Sequence, residues 1–179
     1  TLVAAGAILL IRVAPLLTPE VLLAIGLVGG ITTVAAGLIA LAERDLKRLL
    51  AASTASQYGL MLIAVGAGVP LAALLHLLAH AAIKSGLFLA AGEFQHARGG
   101  TALERLRGVG RVRPWTFFGF ALAALALVGA PPLSGFFSKD AVIAAALSAP
   151  SVAWLAPLAL AGTLLTGAYL ARALRLLWH

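Results

Sequence analysis

The sequence contains no cysteine. That excludes a disulfide framework, a thiolate metal site, a cysteine-ligated iron–sulfur cluster and a cysteine nucleophile from this chain. Charge is nearly as scarce: Asp, Glu, Lys and Arg make up 11% of the 179 residues, against about 25% in soluble globular domains. The first residues also lack a charged n-region and a cleavage-site pattern, so a signal peptide is not expected. Thr1 stands inside an apolar run, and the chain reads as truncated at its N-terminus.

What fills the sequence instead is apolar. Hydrophobic residues account for 62%, and the mean hydropathy is +1.06, which marks an integral, multi-pass membrane protein. Residues 1–17 are too short for a full span and read as the tail of a helix. Residues 21–42 form a span preceded by Thr18, Pro19 and Glu20, a hydroxyl N-cap followed by a proline and an acid in the first turn. The charged cluster 43–48 is a loop. From 49 to 83 no residue carries a formal charge; as one helix this stretch would reach roughly 52 Å across a hydrocarbon core of about 30 Å. A turn is therefore expected at Gly66, Gly68 and Pro70, giving spans at 49–68 and 71–91. Residues 92–113 read as an exposed connection with a short amphipathic helix near 103–109, and the last span begins at Val152. The net charge of +7 is not a nucleic-acid surface, because the basic residues lie between the spans. Ten lysines and arginines fall on one side and only Arg12 on the other. That asymmetry places the loops 43–48 and 92–113 and the C-terminus in the cytoplasm. For the arginines of the 92–113 connection, contact with anionic lipid is the second reading.

The span 71–91 organises the rest. It carries His76, His80 and Lys84 at i, i+4 and i+8, within a sector of roughly 80° on one helix face. A lysine near the middle of a bilayer costs on the order of 2.5–3.5 kcal/mol by insertion scales, so such residues face a wet cavity or a partner and mark ion or proton pathways. The bland alternative for the histidines is interhelical packing by neutral imidazoles. The HLLAH spacing resembles HExxH but lacks its glutamate, which argues against a zinc site, and two ligands on one helix face cannot take opposite axial positions of a haem iron. Upstream, Ser53, Thr54, Ser56 and Gln57 serve either as hydrogen-bonding glue between helices or as the lining of a water wire. The stretch 115–147 is interrupted at 130–135 by Pro131, Pro132 and Gly135, and a broken helix in a bilayer needs a protein-lined or wet setting. Lys139 and Asp140 follow the break. Lys139 is expected inside the membrane beside unwound backbone; the alternative is a lysine snorkelling to the interface. The fold expected is an all-α integral membrane bundle of about six transmembrane helices in one domain, the fifth discontinuous at 131–135.

Three stretches, DLKRLLAASTASQYG from Asp45, HLLAHAAIKSGLFLAA from His76 and GAPPLSGFFSKD from Gly129, resemble the antiporter-like, proton-translocating subunits of respiratory complex I, Mrp cation/proton antiporters and membrane-bound hydrogenases, and are most similar to the L-type subunit of NADH-quinone oxidoreductase. The resemblance implies a proton relay through His76, His80, Lys84 and Lys139. It implies supporting roles for Asp45, Lys47, Ser53, Thr54, Ser56, Gln57 and Asp140. It also implies that the chain is the second repeat of such a subunit, a non-redox part of a translocase with other membrane subunits as partners. NADH, FMN, iron–sulfur clusters and quinone would then reside in those partners, with no cofactor or metal in this chain. Na⁺ or K⁺ exchange for H⁺ in an Mrp-type subunit, and a membrane role in a hydrogenase, are the alternatives.

Overall fold

The structure, a computed structural model, describes residues 2–179, and it is built of helices. In chain order these are α1 (Leu2–Val13), α2 (Pro19–Ala42), α3 (Leu46–Gly66), α4 (Pro70–Arg98), α5 (Val109–Val112), α6 (Pro114–Val128), α7 (Ser134–Ser148) and α8 (Ala156–Trp178). Four of them, α2, α3, α4 and the α8 region, are long and apolar enough to cross a membrane. Neither α6 nor α7, at 15 residues each, reaches across alone, since 15 residues rise only about 22 Å. Together they make the expected broken crossing. The interruption is the segment 129–133, and Gly135 already lies in α7, so the break stands slightly earlier than the sequence suggested.

The two ends of the bundle are well separated. At one end Asp45 bridges Ala102, Leu46 N–H donates to Thr101 O at 2.8 Å, and Gly108 N–H donates to Leu176 O at 3.3 Å. The turn after α2, the 99–108 connection and the end of α8 therefore meet. At the other end Pro19, Glu20, Gly68, Ala149 and Ser151 surround a common cavity. The ten basic residues counted above lie at the first of these ends or on the last turns of the helices that reach it.

Helix α2 shows how the bundle is packed. Its buried residues are Gly26, Gly29, Gly30, Thr33, Ala36, Gly37 and Ala40, whereas Leu23, Leu27, Val28, Ile31, Leu38 and Ile39 are exposed. This is the pattern of a helix in lipid, where large side chains gain nothing by turning inward and small ones let backbones approach. The closest approach is to α3. A Cβ added at Gly59 would lie 2.5 Å from Thr33 N and 2.6 Å from Gly29 O, and one at Gly66 would lie 2.5 Å from Gly26 Cα.

Three expectations need correction. The 92–113 stretch is not an exposed connection: α4 runs on through Glu93, Gln95 and His96 to Arg98, where Gly99 ends it in a left-handed conformation (φ 71°). Beyond it Leu103, Leu106 and Val109 are buried in the core, and the helix expected near 103–109 is displaced to α5. The loop 43–48 is shorter than expected, because α3 begins at Leu46. Thr18 occupies the N-cap of α2, but its side chain makes no capping hydrogen bond.

Asp45 does cap α3. Its Oδ1 accepts the Arg48 N–H at 3.0 Å, and its Oδ2 accepts the Thr101 hydroxyl. Burial opposes the charged form of this carboxyl, but the Thr101 hydroxyl and the backbone amides of Arg48 and Lys47 outweigh it and hold the carboxyl below its ordinary value. The folded group thus titrates below the unfolded one. Its contribution is complete above the unfolded pKa and disappears only as pH falls through the folded pKa. Asp45→Ala is expected to cost about 1 kcal/mol at neutral pH, the usual worth of a cap, and the difference from the parent protein should vanish in acid. Thermal unfolding of the two proteins at neutral and acid pH checks both points.

Candidate functional site

The polar interior is assembled around α4. His76, His80 and Lys84 are all buried, Lys84 at 7% exposure, and Lys139 on α7 is buried at 3%. A helix rise of 1.5 Å per residue separates the Cα atoms of His76 and Lys84 by about 12 Å. Between them, the His76 and His80 rings stack with centroids 6.3 Å apart, and Tyr58 meets His80 edge-on at 5.8 Å.

Lys84 is held by neutral oxygens from α3. Its Nζ donates to Leu50 O at 2.8 Å and to the Ser53 hydroxyl, which in turn donates to Leu50 O at 2.9 Å. Two acceptors match the two N–H groups of a neutral amine. The third N–H of an ammonium has the Phe88 ring on its side, with the centroid 5.9 Å from Nζ and within cation–π range. Among the described residues, the hydrogen-bond acceptors of Lys84 are thus neutral oxygens.

His76 has partners on both nitrogens, and their donor–acceptor roles follow one from another. The Thr166 hydroxyl donates to Gly162 O at 2.8 Å, so its oxygen accepts from Gln57 Nε2 at 3.1 Å. That bond turns the Gln57 carbonyl oxygen toward His76 Nε2, 3.2 Å away, and a carbonyl only accepts. Nε2 of His76 therefore carries the proton in the neutral ring, and Nδ1 is the acceptor. Ser138 on α7 donates to Nδ1 across 3.0 Å. The same serine hydroxyl has a second acceptor, Gly135 O, at 3.3 Å. When a proton arrives at Nδ1, the hydroxyl can turn to Gly135 and accept from the new N–H.

Lys139 lies beside the break. Its Nζ donates to Val128 O at 3.4 Å, one of the carbonyls that the end of a helix leaves without an intrahelical partner, at the end where the macrodipole favours a cation. Gly135 makes this arrangement possible, because a side chain there would overlap the Ala126 carbonyl of α6.

His80 and Tyr169 differ from these groups. Among the described residues neither His80 Nε2 nor the Tyr169 hydroxyl, both buried, has a hydrogen-bond partner.

Not all the residues singled out in the sequence gather here. Ser53 and Gln57 do. Thr54 donates to Leu50 O at 2.9 Å within its own helix, and Ser56 donates to Thr33 O at 2.8 Å, tying α3 to α2. Asp45 and Lys47 stand at the basic end of the bundle, where Lys47 donates to Gln95 Oε1 at 2.6 Å. Asp140 is exposed on the outer face of α7. Conversely, Ser138, Thr166 and Tyr169 are part of the interior and are not among the residues singled out from the sequence. The available signal is Ser138 beside Lys139, and Thr163, Thr166 and Tyr169 at i, i+3 and i+6 in α8.

Residues 1–166 match the family described as NADH:quinone oxidoreductase/Mrp antiporter, TM. Subunit L of NADH-quinone oxidoreductase from Mycobacterium tuberculosis is 43% identical over 180 residues, an overlap that takes in 96% of this chain and 28% of that protein. Among solved structures, respiratory complex I from Thermus thermophilus with bound NADH superposes with a TM-score of 0.79 at 30% identity, over 87% of this chain and 34% of the other. The Mrp complex from Dietzia sp. DQ12-45-1b superposes with a TM-score of 0.74 at 38% identity, over 82% of this chain and 17% of the other. The chain thus spans well under half the length of the proteins it matches.

Proposed function

Since this chain belongs to the NADH:quinone oxidoreductase/Mrp antiporter transmembrane family, we propose that it relays protons within the membrane arm of an NADH-quinone oxidoreductase, as part of an L-type subunit. NADH, FMN, iron–sulfur clusters and quinone belong to other subunits in this reading, and the relay is driven by redox chemistry outside the chain. The relay residues are Lys84, His80 and His76 on α4, with Ser138 carrying the line across to α7 and Lys139. The choice of an L-type subunit rests on the relative of that name at 43% identity.

The observation that carries the reading is the pair of acceptors offered to Ser138. A hydroxyl with both His76 Nδ1 and Gly135 O in reach lets the imidazole gain and lose a proton without leaving either state unpaired. Gly135 O is the ordinary i−3 partner of a helical serine; what sets Ser138 apart is that its hydroxyl also reaches a buried imidazole on another helix. The lysines suit the same task, since an amine can exist neutral or charged where a guanidinium cannot.

The test is NADH-driven proton uptake into vesicles containing the assembled complex, with assembly measured separately. Ser138→Ala removes the switching hydroxyl and leaves little else disturbed. It should lower uptake by about a hundredfold, the lower range for a positioned proton-transfer group. Normal uptake by an assembled Ser138→Ala complex would remove the central support for the relay.

A further inference from the structure

At the basic end of the bundle lies a cavity of about 580 Å³ lined by Arg44, Leu103, Glu104, Arg107, Arg172 and Leu176. Three arginines and one glutamate leave an excess of positive charge. We infer that this cavity holds the phosphodiester headgroup of an anionic lipid, with Arg44, Arg107 and Arg172 as its ligands.

The walls are fixed. Arg172 is half-buried, and its Nη1 donates to Leu41 O and, at 3.0 Å, to Glu43 O. This ties α8 to the end of α2 and holds the guanidinium plane in place, with its other N–H groups still to be satisfied. Leu103 N–H donates to Arg44 O at 2.8 Å, Gly108 N–H to Leu176 O at 3.3 Å, and Arg98 Nη2 to Arg107 O at 3.2 Å. The backbones that carry the three arginines are thereby stitched into one frame. Arg44 and Arg107 are exposed at its mouth, and guanidinium forks match phosphate oxygens in pairs.

Two features favour a lipid over free phosphate. The cavity stands at the end of the bundle where the spans α2 and α8 terminate, the end that carries the ten basic residues and faces the headgroups if the spans cross a bilayer. Leu176, half-buried in the wall, adds apolar surface, which a free ion does not use and which the glycerol and first methylenes of a lipid do. Basic pockets between helices at this level are suited to anionic headgroups. Glu104 in the same wall disfavours a more highly charged anion and is compatible with a singly charged diester.

The inference does not depend on the relay, and its readout is lipid retention rather than proton flux. The assembled complex is reconstituted in phosphatidylcholine vesicles with a minor fraction of spin-labelled phosphatidylglycerol, and the immobilised label is measured. Arg44→Gln with Arg107→Gln should weaken retention roughly fivefold for each arginine removed. Arg113→Gln, at the same end but outside the cavity, should change it little. Retention in the parent complex should resist inorganic phosphate and fall only gradually with salt. Equal loss in Arg113→Gln would show diffuse attraction instead of a site. Full displacement of the label by inorganic phosphate would show an anion site with no lipid preference. Either result overturns the assignment, as would equal immobilisation of labelled phosphatidylcholine in the parent complex, which involves no substitution at all.

Discussion

Replacing Lys84 by arginine is expected to stop proton uptake as completely as replacing it by methionine. If the lysine were needed only for its charge, arginine would serve. A relay needs the proton to leave, and on reference pKa values a guanidinium is roughly two to three orders of magnitude harder to deprotonate than an amine. Loss of at least about a hundredfold is therefore expected for Lys84→Arg as well as for Lys84→Met. Both variants should assemble, for a reason visible in the structure: Leu50 O, the carbonyl that Lys84 would abandon, already accepts the Ser53 and Thr54 hydroxyls at 2.9 Å each. No buried carbonyl is orphaned by the change. NADH-driven uptake in vesicles, normalised to assembled complex, provides the measurement. Near-normal uptake by Lys84→Arg would reduce the residue to a structural charge.

Gly59→Ala should have an equally large effect by a different route. Here the loss is of assembly, not of chemistry. The added methyl group would press on Thr33 N and Gly29 O, and backbone cannot rotate aside as a side chain can. Overpacking in a well-packed interior commonly costs 1–3 kcal/mol, and contact with backbone on a neighbouring helix places this site at or above the upper end. A fall of about a hundredfold in the assembled fraction corresponds to roughly 2.7 kcal/mol. Thr33→Ala should not rescue the variant, because the clash involves the threonine's backbone and not its side chain. Quantifying assembled complex in membranes from the single and double variants tests both statements. Rescue by Thr33→Ala would mean that side-chain bulk, not backbone proximity, limits the α2–α3 contact.

The general plan was legible in the sequence because it rests on composition and period. Long uncharged runs, the Gly66, Gly68 and Pro70 turn and the two prolines of the break set the crossings. The i, i+4, i+8 spacing put His76, His80 and Lys84 on one face. What was not legible depends on partners supplied by other helices. Ser56 and Gln57 are adjacent in sequence, yet one bonds to α2 and the other lies between α4 and α8. Their directions differ by about 100° on the helix, and only the packed bundle says what each direction meets. The glycines of α2 have the spacing of a close helix contact, but the sequence does not say which helix they meet. The end of α4 is not legible in the sequence because its last residues are polar. Polarity there reflects a helix that leaves the membrane, not the end of the helix.

The tautomer of His76 has an unexpected owner. It is set through Gln57 and Thr166 by a single backbone carbonyl, that of Gly162 on α8, so the imidazole on one helix reports the axial position of another. Should α8 slide far enough for Thr166 to lose the Gln57 amide, the amide is free to turn over, and its NH₂ would then face Nε2 and require the opposite tautomer. A displacement of a few tenths of a nanometre or less in a helix that carries no relay residue would thus be converted into the relocation of a hydrogen atom across an imidazole ring. The position of α8 and the hydrogen-bonding state of His76 are, in this bundle, linked through Gln57 and Thr166.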